Sequence, residues 1–388
     1  MNRRKLRMGM VGGGSDAFIG AVHRLAAFMD NQCELVCGCF SVDPDISLSS
    51  GKSYFLPENR VYRTYQEMFE GEAKLPADVR MDFVSIVTPN HVHFAPAMMA
   101  LEGGFHVVID KPITFSLEEA KLLKAKVEET GLVLALTHTY SGYPAVKDAK
   151  ARLARGDFGK IRKVYVEYPQ GWLSKRIELE GGNNAGWRTD PKRSGKAGAM
   201  GDIGTHAWHL AEYMTGLKVT ELCAELKAFV PGRPIDDDGA ALLRYENGAT
   251  GVLMASQVAA GETNSLKIRV YGENGGLEWR QTDPNILWLK WSDRPVEMID
   301  VGANAKMTEG ALYNTRTPQG HPEGYLEAFA NIYRNFANTV QAKIAGEQPD
   351  PKWADFPNVN DGVRGMQFIE TVVTAGYDDS QKWVKWIE

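Results

Sequence analysis

The rhythm of hydrophobic and polar positions changes once along this chain. Up to about residue 136, short apolar runs alternate with stretches of helical spacing. The runs are Leu6 to Val11, Glu34 to Phe40, Phe83 to Val87, Phe105 to Ile109 and Leu132 to Leu136. Helical spacing covers Ile19 to Met29, Ala95 to Glu102 and Leu117 to Thr130. Short apolar strands interleaved with helices predict a doubly wound parallel sheet, an α/β domain over residues 1–136. After Gly159 the period becomes two. Ile161 to Tyr168, Val219 to Phe229, Gly239 to Tyr245, Thr250 to Gln257, Leu266 to Tyr271 and Gly276 to Trp279 read as strands, with Asn247-Gly248 and Asn274-Gly275 as turn dipeptides. They predict a large open, mostly antiparallel sheet in an α+β domain over residues 137–388. The helical stretches Gly324 to Ala345 and Asp361 to Ala375 are expected to pack back on the first domain.

The first turn of the chain carries its own chemistry. The strand Leu6 to Val11 runs into Gly12-Gly13-Gly14-Ser15-Asp16-Ala17, then a helix and a second strand. Gly12, Gly14 and Ala17 fit a loop that lets a pyrophosphate approach the backbone at a helix N-terminus. Phe18-Ile19-Gly20 supplies an alternative third glycine, which lengthens that loop by three residues. Strand, glycine loop, helix and strand together are the setting of a dinucleotide-binding Rossmann domain. At the end of the second strand, where an acid holds the ribose hydroxyl, stand Ser41 and Asp43. No arginine follows to hold a 2′-phosphate, so the reading favours NAD over NADP. The alternative is that Ser41 and Asp43 only open the Asp43-Pro44 turn.

Two further segments supply reactive groups. Lys111, in Asp110-Lys111-Pro112, follows a predicted parallel strand, and such strand ends point into the ligand crevice. Asp202 and His206, in Gly201-Asp202-Ile203-Gly204-Thr205-His206, are four apart at a predicted helix start, on one face. A carboxylate beside a histidine fixes its tautomer and raises its basicity, as suits a general base. No activated serine or cysteine accompanies them. The set therefore points to proton transfer coupled to the nicotinamide.

With these motifs the chain resembles the Gfo/Idh/MocA family (glucose–fructose oxidoreductase, inositol dehydrogenase, rhizopine catabolism). The resemblance rests on the glycine loop, Ser85-Ile86-Val87-Thr88-Pro89-Asn90-His91-Val92-His93, Asp110-Lys111-Pro112, the segment from Gly201 to His206, and Asn360-Asp361-Gly362 before a helix. It spans nearly the whole chain. The family's typical Glu-Lys-Pro is Asp-Lys-Pro here, which keeps the lysine and shortens the carboxylate. The resemblance implies that Thr88, Pro89, Asn90 and His93 lie along the nicotinamide, with Phe18, Ile19 and Asp110 among the cofactor residues. It implies that Lys111 contacts the reacting hydroxyl, and that Asp202 and His206 flank the substrate with His206 as proton acceptor. It further implies a homodimer or homotetramer built through the second sheet.

Composition narrows the remaining choices. The 388 residues suit two domains with sizeable cores, with 44% hydrophobic and 24% charged residues. A net charge of −5 argues against a nucleic-acid partner. No segment has membrane-spanning length, and the apolar run after Asn2-Arg3-Arg4-Lys5 is too short for a signal peptide. Of the four cysteines, Cys33, Cys37 and Cys39 read as core of a buried strand and not as a metal site. A reducing, cytoplasmic setting follows.

The segment from Pro169 to Met200 is polar and glycine-rich and leads into the candidate catalytic helix. A long loop in a compact domain is a place to seek function. Trp172, Trp187, Arg188 and Thr189 are candidates for a sugar platform with a fork for hydroxyls or an anion. The bland reading pairs Arg188 with Asp190 and leaves Lys192, Arg193 and Lys196 solvated. His138 and Tyr140 follow a strand and are read as substrate contacts or interdomain packing. His91 reads as a neighbour of a helix cap, and His321, in His321-Pro322-Glu323-Gly324, either caps the helix that begins there or approaches the active site from the C-terminal segment. The trio Asp202, His206 and His209 imitates a metal set, but the adjacent cofactor loop argues against one.

The sequence thus predicts an NAD(P)-dependent oxidoreductase acting on a secondary hydroxyl of a sugar, glycoside or cyclic polyol. The alternative is an NAD-dependent glycoside hydrolase, on an anionic glycoside for example, working by transient oxidation, elimination, water addition and re-reduction. A non-catalytic cofactor-binding sensor is disfavoured by the presence of Lys111, Asp202 and His206.

Overall fold

The structure, a computed structural model, describes residues 4–15, 17–180, 183–378, 380 and 383–388, with side chains omitted at 183 and 184. Asp16 of the glycine loop and the start of the basic N-terminal stretch lie outside these residues. The chain forms two units. One comprises the residues up to Thr139 with Leu326–Val363, and the other comprises Tyr140–Tyr325 with Arg364–Glu388.

In the first unit the five apolar runs become five parallel strands: β1 (Leu6–Gly12), β2 (Cys33–Cys39), β3 (Phe83–Val87), β4 (His106–Ile109) and β5 (Leu134–Leu136). Their order is β2-β1-β3-β4-β5. From β1 the chain moves first to one side and then to the other. The loops after β1 and β3 therefore diverge at the carboxyl ends, which is where such sheets bind ligands. The helices are α1 (Phe18–Met29), α2 (Pro44–Ser53), α3 (Tyr65–Ala73), α4 (Phe94–Glu102) and α5 (Leu117–Thr130). Helix α5 is bounded by a Ser116–Glu119 capping box and a left-handed Gly131. The hydrophobic pattern does not announce α2, because the residues it buries are Ser47, Ser50 and Gly51. The Ser47 hydroxyl accepts the Phe40 N–H at 3.0 Å, so a polar contact replaces an apolar one.

The sheet is sealed by the C-terminal chain. Leu136 N–H donates to the Pro357 carbonyl, and Gly362 lies so close to Ile113 that a Cβ there would sit 2.4 Å from its Cδ1. A buried polar knot also forms, where His23, Ser85 and Tyr333 meet within 3.1 Å. Burial pushes the His23 pKa down to about 4. Cys33, Cys37 and Cys39 are buried free thiols. Burial pushes Cys33 up to about 12 and Cys39 up to about 11.

The second unit opens with α6 (Pro144–Arg155), then β6 (Lys163–Pro169), α7 (Asn183–Arg188), α8 (Pro191–Ser194) and α9 (Thr205–Thr215). Strands β7 (Val219–Lys227), β8 (Asp238–Tyr245), β9 (Thr250–Ser256), β10 (Lys267–Tyr271), β11 (Gly275–Arg280), β12 (Ile286–Trp291) and β13 (Glu297–Asp300) follow. The chain ends with α10 (Glu309–Tyr313), α11 (Tyr325–Ile344) and α12 (Val359–Tyr377), the last two crossing between units, and β14 (Val384–Lys385). Nine strands form one sheet in the order β13-β12-β11-β10-β6-β9-β8-β7-β14. Every pair is antiparallel except the central β6–β9. Along β8 buried and exposed residues alternate strictly, so the sheet has one covered and one open face. Leu242 and Met254 are about half exposed on the open side.

Candidate active site

In the first unit, glycines shape the crevice. Gly12 and Gly13 have φ of 79° and 71°, a region that favours glycine. A Cβ on Gly12 would stand 3.0 Å from the Val87 carbonyl oxygen. A Cβ on Gly20 would stand 2.4 Å from the Gly13 Cα. The close strand–helix packing of the third glycine therefore falls to Gly20, within α1. Ala17 is the N-cap of α1 and offers no side-chain acceptor, so it does not compete for the first-turn N–H groups. Phe18 is largely exposed and Ile19 half-buried at the same helix start. Gly14 N–H donates to Phe40. The Gly13 carbonyl accepts from Arg24 at 2.7 Å and from the Tyr54 hydroxyl at 3.3 Å, and Arg24 lies over the Tyr54 ring. Neither Arg24 nor Tyr54 stood out in the sequence, since Arg24 reaches back from two turns into α1 and Tyr54 comes from the end of α2. A backbone stripped of side chains before an uncapped helix start fits a dinucleotide pyrophosphate.

At the end of β2 the Asp43 carboxylate accepts the N–H groups of Asp45 and Ile46 and caps α2, while the Ser41 hydroxyl accepts the Asp43 N–H. After β3 come Thr88, Pro89 and the buried Asn90. His93 is fully buried between two loops. Its Nδ1 lies 2.7 Å from the Pro112 carbonyl and its Nε2 2.8 Å from the Thr88 carbonyl. Burial lowers its pKa, against Asp110 and the two carbonyls. Asp110 accepts the Lys111 N–H at 3.0 Å and the Thr137 hydroxyl at 2.7 Å. His93 and Asp110 thus brace the backbone on either side of Lys111. His138 is buried just beyond β5.

In the second unit the expected helix start is different in kind. Met200–Gly204 is a π-helical turn, and α9 begins only at Thr205. Asp202 lies in the wide turn and His206 in the α-helix, so the simple four-residue register between them does not apply. Asp236 accounts for the turn. Its carboxylate accepts the N–H groups of Gly198 at 2.7 Å and Met200 at 2.8 Å, while its carbonyl takes that of Ala199. A Cβ on Gly198 would lie 1.9 Å from that carbonyl oxygen. Burial raises Asp236 to about 6, against these hydrogen bonds.

Asp202 Oδ2 accepts from Gln257 Nε2 at 2.9 Å and pairs with Arg188 Nε at 3.4 Å. Arg188 therefore reaches Asp202, and Asp190 instead caps α8. The guanidinium stands over Trp187, 4.3 Å from the ring centre, with Trp172 at 6.0 Å. The Thr189 hydroxyl bonds back to Ala185. Lys196 pairs with Glu370. The His206 imidazole stands edge-on to the Tyr140 ring and tilted against the Tyr168 ring, with ring centres 5.0 Å and 6.3 Å away. Asn264 closes a loop behind them. Its amide donates to the Tyr140 hydroxyl at 3.2 Å, Tyr140 and Tyr168 share a short hydroxyl contact, and Tyr168 donates back to Asn264 at 2.7 Å. Gln170 and Trp172 extend this network outward. Gln257, Asp236, Tyr168 and Asn264 carried no sequence signal, because each sits at the end of a strand or in a strap between strands.

A Rossmann sheet with a stripped glycine turn, followed by a half-open sheet domain with an Asp–His turn, defines a two-domain nicotinamide oxidoreductase. Comparison with known proteins agrees. Residues 6–138 match "Oxidoreductase family, NAD-binding Rossmann fold" and residues 146–278 match "GFO/IDH/MocA C-terminal domain". An oxidoreductase from Sinorhizobium meliloti is 43% identical with a TM-score of 0.88, over 98% of this chain and 100% of that one. An inositol dehydrogenase homolog from Azotobacter vinelandii, complexed with NAD+ or with NADH and myo-inositol, is 35% identical over 99% of this chain and 98% of that one. Its TM-scores are 0.93 and 0.90. Levoglucosan dehydrogenase of Pseudarthrobacter phenanthrenivorans is 28% identical over 52% of this chain and 55% of its own. The chain belongs to the Gfo/Idh/MocA family of oxidoreductases and carries its NAD-binding Rossmann fold. Among the described residues no helix is long and apolar enough to cross a membrane.

Proposed function

We propose that this enzyme oxidises one secondary hydroxyl of a cyclic polyol or free sugar. NAD, when bound, supplies the hydride acceptor. Gly12, Gly13, Gly14 and the start of α1 hold its pyrophosphate, and the Thr88–Asn90 loop flanks its nicotinamide. Lys111 offers a positive charge to the developing alkoxide, and its backbone is braced by Asp110 and His93. His206 accepts the hydroxyl proton. Asp202 orients His206 and offsets the charge it gains. Tyr140 and Tyr168 hold the imidazole plane, and Trp172 with Trp187 offer flat surfaces to a ring of carbon and hydroxyls.

The observation that carries this reading is the company His206 keeps. An imidazole walled by two aromatic rings, with an anchored carboxylate in the preceding turn, is built to take one proton from one direction. The relative bound to NADH and myo-inositol supports a cyclic polyol, and its NAD+ complex supports NAD over NADP. The open sheet face, with Leu242 and Met254, supports association of copies through that sheet. The free thiols support a reducing, cytoplasmic setting. The test is a panel of inositols and hexoses with NAD or NADP. The reading requires reduced cofactor and ketone product in equal amounts, and a higher kcat/KM with NAD.

A further inference from the structure

Asp202 is held by a residue outside the turn that carries it. Gln257 directly follows β9, beside the one parallel pairing of the sheet. Its N–H donates to the Asp237 carbonyl at 2.8 Å and its carbonyl accepts from Leu173 at 3.0 Å, so its backbone is fixed from two sides. The residue is 2% exposed. A carboxylate only accepts, so the amide must turn its NH2 toward Asp202, as the 2.9 Å contact shows. Arg188 reaches the same oxygen at 3.4 Å from a six-residue helix, with 29% of its side chain exposed. The buried amide makes the shorter contact and comes from the firmer support.

We propose that Gln257 is a positioning residue that sets the direction in which the Asp202 carboxylate faces His206, with Arg188 as a second, more mobile donor. A neutral amide suits this task. It fixes the oxygen without cancelling the charge that His206 needs once protonated. Tyr140 and Tyr168 also feel this carboxylate, which disfavours their buried phenols as anions. The inference rests on the dehydrogenase reading above.

The test uses the full-length enzyme and two near-isosteric variants. Gln257→Leu removes the donor at every pH. Gln257→Glu replaces it with a carboxyl that repels Asp202 when ionised and donates to it when protonated. Gln257→Leu should lower kcat on the order of tens to a hundredfold through misplacement alone, with KM within a few-fold and NADH affinity unchanged. Gln257→Glu should be poorest at alkaline pH and recover relative to wild type as pH falls. A crystal structure of Gln257→Leu should show the Asp202 carboxylate turned away from its wild-type direction. A folded Gln257→Leu variant with wild-type kcat, or a Gln257→Glu pH profile parallel to wild type, overturns the role. A wild-type enzyme that oxidises no polyol defeats the dehydrogenase reading instead, and the Asp202 direction in the crystal then decides the positioning claim by itself.

Discussion

His206 stands edge-on to Tyr140, with ring centres 5.0 Å apart and planes at 87°. Tyr140 is 4% exposed and its hydroxyl is tied into the loop with Tyr168 and Asn264. The wall matters for geometry and the hydroxyl for satisfaction of that loop. Tyr140→Leu should lower kcat about tenfold or more, since the imidazole loses its support. Tyr140→Phe keeps the wall, so kcat should stay within a few-fold. It leaves the Asn264 amide and the Tyr168 hydroxyl short of a partner, and stability should fall by about 1–3 kcal/mol. Steady-state kinetics beside urea denaturation separate the two effects.

Lys111 and His206 are proposed to act on one hydroxyl. Lys111→Ala and His206→Ala should each lower kcat by about 10²–10⁴-fold. NADH affinity, read by fluorescence titration, should change far less. The double variant should lose much less than the product of the two, because both act on one transition state. If His206→Ala lowers the melting temperature but leaves kcat within a few-fold, the histidine only pins α9.

The glycine turn should tolerate no Cβ at position 20. The nearest atoms to such a Cβ are backbone atoms of Gly13, which cannot swing aside as a side chain does. Gly20→Ala should therefore displace the loop and weaken NAD binding at least as much as Gly14→Val, while the second unit stays folded. Calorimetric titration with NAD checks this. Unchanged affinity in a folded Gly20→Ala protein would show that the loop does not cradle the pyrophosphate.

Asp236 ties stability to pH. Its pKa is raised to about 6 by burial, above an unfolded value of about 3.9. The folded state therefore binds the proton more tightly. That contribution is fully present below the unfolded pKa and is lost as pH rises through about 6, on the order of 3 kcal/mol in total. Asp236→Asn should flatten this slope while lowering stability at acidic pH, since an amide cannot accept both the Gly198 and Met200 N–H groups. Urea midpoints across this range in both proteins provide the check. Equal slopes would mean that Asp236 does not titrate there.

Much of the first unit was legible because its signals are local. Five apolar runs gave five strands, and the glycine turn fell where a strand meets a helix. Helix α2 was hidden, since serines and a glycine make its buried face. In the second unit period-two runs marked the central strands. Strands β12 and β13 at one end of the sheet and the two-residue edge strand β14 at the other were missed, β13 being largely exposed and charged and β14 too short to show a period. The Asp202–His206 pair was visible, but its α-helical register was not the one found. The π-turn depends on Asp236, over thirty residues away in sequence. Gln257 was invisible for the same reason: a glutamine at a strand end says nothing until the strand is placed beside the turn.

The central claim is net oxidation of a ring hydroxyl at the expense of NAD. The direct measurement is incubation of the enzyme with NAD and myo-inositol, its isomers, free hexoses and matching glycosides, following cofactor absorbance and product together. The account predicts that NADH accumulates in step with a ketone from a free polyol or sugar, and that His206→Ala abolishes both. Cleavage of a glycoside with no accumulation of NADH would contradict it, and would make the enzyme one that borrows the hydride and returns it.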